Sequence, residues 1–190
     1  MPDRKMIVIG ITGTLGAGKG TIVDYLVREK GFAHYSVRSF LIEQIEAAGK
    51  EVNRDTMTQT ANALRAANSP SYVTDQLYLK ALEQGAPCII ESIRTPGEIQ
   101  SLRDKGPFFL WAVDAAPELR YERIQSRKSE TDAVSFETFL NNEAREMNST
   151  DPNKQNLKAC IEQADEVFTN NGDLTALYEQ IEKALQKINL

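Results

Sequence analysis

The chain has little of what many functional classes require. It holds two cysteines and one histidine in 190 residues. Cys88 and Cys160 stand alone, without CxxC spacing or a Cys/His cluster, so neither a disulfide framework nor a zinc site is expected. They read as reduced thiols used as small hydrophobes. His34, beside aromatic residues at a short apolar run, reads as a packed residue rather than a base. No apolar run approaches membrane-spanning length. The first one, after Arg4 and Lys5, breaks at Gly13 and is too short for a signal-peptide core with its cleavage site. Basic residues are scarce as well, 22 against 27 acidic. That balance leaves no general surface for nucleic acid or an anionic membrane, so any phosphate-binding charge must be local. A cytosolic protein of one domain is expected, long enough to bury about 70% of the surface its unfolded chain exposes.

What is present is alternation. Short β-rich apolar runs at residues 6–12, 32–35, 87–91, 108–114 and 166–169 are separated by helical patterns. This rhythm predicts a three-layer α/β sandwich around a five-stranded parallel sheet. Helices are expected over residues 18–30, then in two or three segments ending near Ala48, Ala67 and Gln84. Further helices are expected over 96–105, 117–128, 135–147, 153–163 and 173–187, with 129–134 polar and loop-like. Trp111, among Phe109, Leu110 and Val113, belongs to the core. Neither an internal repeat nor a linker divides the chain.

The first apolar run leads into Gly13-Thr14-Leu15-Gly16-Ala17-Gly18-Lys19-Gly20-Thr21 and then a helical pattern. A strand, a glycine-rich loop and a helix N-terminus are what a phosphate-cradling P-loop needs. Glycines let successive N–H groups converge on phosphate oxygens, while Lys19 and the helix dipole add positive charge. The strict pattern G-x-x-x-x-G-K-[ST] is missed by one residue, because Gly20 stands where Ser or Thr would follow Lys19. In a doubly wound sheet ligands bind beyond the carboxyl ends of the strands, so the residues just past each strand matter most.

Past the third strand come Glu91-Ser92-Ile93-Arg94-Thr95. The carboxylate suits a Mg²⁺ ion held partly through water, and the arginine suits an acceptor phosphate. Past the fourth, Arg120, Arg123 and Arg127 fall at i, i+3 and i+7 on one helical face. Glu118 and Glu122 could offset their repulsion; alternatively the cluster neutralises a transferring phosphoryl group. Past the fifth lie Asn170-Asn171-Gly172-Asp173, a turn and helix cap that can still offer groups to a base.

These motifs resemble those of P-loop nucleoside and nucleotide kinases. G-x-x-G-x-G-K-G-T is the loop variant seen in adenylate kinase and its nucleoside monophosphate kinase relatives. Glu91 to Thr95 resembles the Asp-Gly-Phe-Pro-Arg-Thr motif of adenylate kinases. It is closer to the Asp-Gly-Ile-Arg-Ser form of an uncharacterised adenylate-kinase-like branch, with Glu91 in place of Asp. Arg123 and Arg127 are similar to the paired lid arginines of that superfamily, and Arg145 to a returning lid arginine. Asn170 and Gly172 resemble the adenine-side loop of dephospho-CoA kinases.

The resemblance implies a core of about residues 1–35, 85–128 and 148–190, a helical acceptor-binding arm over about 36–84 and a short lid over about 120–147. It implies ATP as donor, held by Gly13 to Thr21 with Arg123, Asn170 and Gly172, and Mg²⁺ on Thr21 and Glu91. Lys19, Arg94, Arg123 and Arg127 would be catalytic. Arg38, Arg65, Glu91, Arg94 and Arg145 would serve the small-molecule acceptor. Ser36 to Leu41 aligns only loosely with the adenylate kinase Thr-Gly-Asp-x-x-Arg segment: Arg38 is displaced, and Arg65 is the candidate to supply the missing charge. The expected acceptor is a nucleoside or deoxynucleoside monophosphate. Dephospho-CoA kinase is the rival within the class, and a nucleotide-hydrolysing switch or assembly factor the rival outside it.

Overall fold

The computed structural model describes residues 6–127 and 134–190. The expected helix end at Lys128 and most of the polar stretch after it lie outside these residues. Five strands, β1 Val8–Gly13, β2 Ala33–Ser36, β3 Cys88–Glu91, β4 Phe108–Asp114 and β5 Glu166–Thr169, form one parallel sheet in the order β2-β3-β1-β4-β5. β1 is central, with Val8 in register with both Cys88 and Phe108. A strand covered on both faces needs apolar side chains throughout, as the Val-Ile-Gly-Ile run supplies.

Because successive strand residues point to opposite faces, the sheet feeds two cores. Val8, Cys88, Ile90 and Leu110 face one of them. There they meet Leu41 of α2 (Val37–Ala47), Val73 and Leu77 of α4 (Tyr72–Gln84), and Ile99 of α5 (Pro96–Lys105). Ile9, Ile11, Ile89 and Trp111 face the other. They meet Ile22 and Leu26 of α1 (Lys19–Lys30) and Leu177 and Ile181 of α9 (Leu174–Lys187). Trp111 is fully buried, edge-on to Phe168 with ring centroids 5.3 Å apart. The fold is the expected three-layer α/β sandwich around a five-stranded parallel sheet.

Four helices complete it: α3 Arg54–Ala67, α6 Pro117–Arg127, α7 Phe136–Met147 and α8 Leu157–Glu162. α8 is shorter than the helix expected over 153–163. The Asp151 carboxylate accepts the Asn153 N–H at 2.9 Å, closing a turn around Pro152, and Asn156 then caps the helix on Ala159 N–H at 3.1 Å. Local side-chain bonds compete with helix formation here and delay its start.

Candidate functional site

The P-loop leaves β1 at Gly13 and enters α1 at Lys19, with Gly18 as the N-cap in a left-handed conformation, φ 109°. A side chain at Gly13, φ 134°, would strike the Val113 carbonyl oxygen at 2.1 Å. One at Gly18 would meet Asn170 Nδ2 at 2.3 Å. Both glycines are therefore required by the close approach of neighbouring elements. Gly20 differs, since nothing lies within 4 Å of a Cβ there.

The loop is braced from behind. Thr14 Oγ1 donates to Asp114 Oδ1 at 2.6 Å, at the end of β4. Asn170, buried past β5, donates from Nδ2 to the Ala17 carbonyl at 2.8 Å, and Arg123 Nη2 donates to the Asn170 carbonyl at 2.9 Å. Asn170 thus underpins the loop instead of facing the space above it. Gly172 is exposed beyond it. Lys19 Nζ donates to the carbonyls of Gly13 and Thr14 at 2.9 and 2.8 Å. Burial, then the Arg94 charge, brings Lys19 down to about 7, with Glu91 and Glu146 opposing the fall.

Above the loop lies a cleft of about 1130 Å³. Gly16, Gly18, Lys19, Gly20 and Thr21 line one side, and Arg38, Arg65, Glu91 and Arg94 another. Arg123 and Arg127 of α6 also line it. Gly13, Thr14 and Ala17 are buried in the loop's underside. Arg145 is not part of the cleft. It lines a smaller adjoining chamber of about 420 Å³ and bonds to Asn142 Oδ1 at 2.6 Å.

Glu91 ends β3 with its carboxylate 3.1 Å from His34 Nε2. Burial would raise this carboxyl, but the His34 bond and the Lys19 charge hold it below the usual range. His34 is therefore partnered at the site edge, not packed in the core. Ser92, next in sequence, adopts φ 72°. Arg94 is fixed at its backbone, its N–H donating to Glu98 Oε2 at 2.7 Å and its carbonyl accepting from Asn156 at 2.8 Å. Arg65 is buried, with Nη2 on Glu98 Oε1 at 2.9 Å, so that its charge is met by a carboxylate that also caps α5. Arg120 does not join Arg123 and Arg127 at the cleft. It is buried, paired with Glu143 of α7 and placed 5.4 Å over the Phe139 ring, tying α6 to α7.

Several cleft residues had no sequence signal, among them Asp24, Arg54 and Glu146. Asp114, which braces the loop through Thr14, had one, as the last residue of a strand pointing at the ligand end of the sheet. Glu146 bridges Arg54 Nη2 at 2.5 Å and Arg94 Nη1 at 2.9 Å. Burial would raise it, and the Arg94 and Arg54 charges bring it below the usual carboxylate range. Neither metal-type clusters of three or more His, Cys, Asp or Glu nor helices long and apolar enough to cross a membrane occur among the described residues.

The chain is similar to known proteins in sequence and in fold. A sequence profile for an AAA domain matches residues 9–149. A UPF0200 protein of Pyrobaculum aerophilum is 27% identical over 184 residues, spanning 96% of this chain and 97% of its own. A shikimate kinase from Bacteroides thetaiotaomicron superposes with a TM-score of 0.60 at 13% identity, over 97% of this chain and 99% of that one. A gluconokinase from Sinorhizobium meliloti gives 0.59 at 12% identity, over 97% and 94%. At such identities the likeness is one of fold. With its phosphate loop and the profile match over most of its length, the chain belongs to the AAA domain family, and its strand order and fold are those of P-loop kinases.

Proposed function

We propose that the protein is an ATP-dependent phosphotransferase that moves the γ-phosphoryl group to a small acceptor, a nucleoside or deoxynucleoside monophosphate. The observation that carries this reading is one cleft holding both the P-loop and an arginine group on α2, α3 and the β3–α5 connection. Donor and acceptor phosphates can meet there without leaving the protein surface between them. Such proximity is the main source of rate in phosphoryl transfer, where the protein does little covalent chemistry.

Within this reading the loop amides and Lys19 hold the β- and γ-phosphates. Lys19 exchanges its two loop carbonyls for phosphate oxygens. Arg123 and Arg127 spread charge over the transferring group, and Arg94 orients the acceptor. The hard oxygen donors Thr21 and Glu91, the latter ionised, suit Mg²⁺, which takes oxygen ligands and keeps several waters. Bound there with the nucleotide, it would neutralise phosphate charge. A phosphate acceptor is already a nucleophile and needs no strong base. A hydroxyl acceptor, as in dephospho-CoA kinase, benefits from one; the Asn170 tail favours that second reading, but Glu91, held below the usual carboxylate range, makes a weak base for it.

A coupled assay against all nucleoside and deoxynucleoside monophosphates plus dephospho-CoA tests the proposal. Turnover with one monophosphate is expected, with Arg94→Ala raising the acceptor KM far more than that of ATP. ATP consumption indifferent to every acceptor but stimulated by a protein would replace the transferase with a switch.

A further inference from the structure

Glu146 stands where its own helix least favours it. It occupies the last turn of α7, whose C-terminal dipole disfavours a carboxylate. Two arginines from other elements hold it there. Arg54 opens α3, and Arg94 follows β3 with its backbone anchored on both sides. All three side chains are mostly buried, 21%, 18% and 13% exposed for Arg54, Arg94 and Glu146. Gln155 Oε1 takes a further hydrogen bond from Arg94 Nη1 at 3.2 Å.

The charges do not balance. Two guanidiniums face one carboxylate, and Arg54 Nε is buried without any partner. A phosphate dianion would match both arginine charges and offer three oxygens where Glu146 offers two. The cluster lies in the wall of the cleft, and Glu146 and Gln155 also face the side chamber, so the carboxylate has space to withdraw.

We propose that Glu146 is a built-in occupant of an anion subsite formed by Arg54 and Arg94, displaced when a phosphate dianion on the acceptor takes both guanidiniums. This rests on the phosphotransferase reading and adds a residue that acts against it until substrate arrives. Displacement unties α7 from α3 and from the β3–α5 connection, so acceptor binding is coupled to movement of α7.

The test is a titration of inorganic phosphate by calorimetry, with the P-loop saturated by a non-hydrolysable ATP analogue. Glu146→Gln keeps the side-chain shape and removes the competing charge. Its affinity for phosphate should rise by about tenfold or more over the unaltered protein. That gain should vanish when Arg94→Ala is added. Equal or weaker phosphate binding by folded Glu146→Gln overturns the proposal and makes Glu146 a support for Arg94. A gain that survives Arg94→Ala overturns it too, because the anion then sits elsewhere. Should Glu146→Gln fail to fold, Glu146→Asp decides: one methylene shorter, it cannot span both arginines, and an unchanged affinity counts against us. If the ATP analogue binds to neither protein, the phosphotransferase reading fails. The Glu146- and Arg94-dependent gain, measured with phosphate alone, still decides the subsite.

Discussion

Lys19 carries the sharpest consequence at the scale of one residue. Its ammonium sits at about 7 because burial and Arg94 disfavour charge, and a bound triphosphate reverses that balance. Below pH 7 the group is charged both before and after binding and contributes no pH dependence. Above pH 7 it is neutral in the free site and must take up a proton to bind. ATP affinity should therefore fall as pH rises from 7 towards 9, by at most about tenfold per unit from this group. Calorimetry at pH 8 in two buffers of different ionisation enthalpy should show uptake approaching one proton. The absence of proton uptake would mean that the ammonium keeps its charge in the free site. Lys19→Ala should abolish phosphoryl transfer without unfolding the chain, since the side chain touches only loop carbonyls; unchanged turnover would refute the role given to the loop.

Among elements, the tie between α3 and α5 is the one most exposed to mutation. Arg65 and Glu98 are both buried, and Glu98 also accepts the N–H groups of Arg94 and Thr95. Arg65→Ala strands that carboxylate, which costs about 3–5 kcal/mol in such sites. Urea denaturation measures it, and a loss below about 1 kcal/mol would mean that water reaches Glu98. Gly20 lies at the opposite extreme, exposed in the first turn of α1 with open space around its Cα. Gly20→Ala should raise stability by about 0.5 kcal/mol in the same experiment, since only unfolded-state freedom is removed. The elements themselves were mostly legible. α5, β4 and β5 fall where residue periodicity and punctuation put them, α5 because Pro96 and the Thr95–Glu98 capping box mark its start. Arg120 shows where spacing stops being informative. Helical geometry does align it with Arg123 and Arg127, but which end of the stripe is covered depends on α7. Glu143, 23 residues away, gives no local sign that it will be the partner.

At the scale of the whole molecule the cleft is made by distant segments meeting at the carboxyl ends of the strands. That placement is why Lys19, Glu91, Arg94 and Arg123 could be picked out from sequence. Each lies on a strand that ends there, or on the loop or helix that leaves it. Arg54 and Glu146 could not, because they are 92 residues apart and neither follows a strand directly. The cleft is lined by α1, α2, α3, α6, α7 and the β3–α5 connection together, and α1, α2, α3 and that connection pack into the two cores of one sheet. Binding should therefore stabilise the chain as a unit rather than one loop. A non-hydrolysable ATP analogue at a hundredfold excess over its Kd contributes about 2.7 kcal/mol. For a domain of this size that raises Tm by about 5–10 °C. Scanning calorimetry should show a single transition that moves as a whole, and the shift should disappear in Lys19→Ala. Two transitions, of which only one moved, would mean that the helices between β2 and β3 unfold independently of the P-loop. The cleft would then be a junction of two units, and an acceptor seated against α2 and α3 would stabilise only its own side.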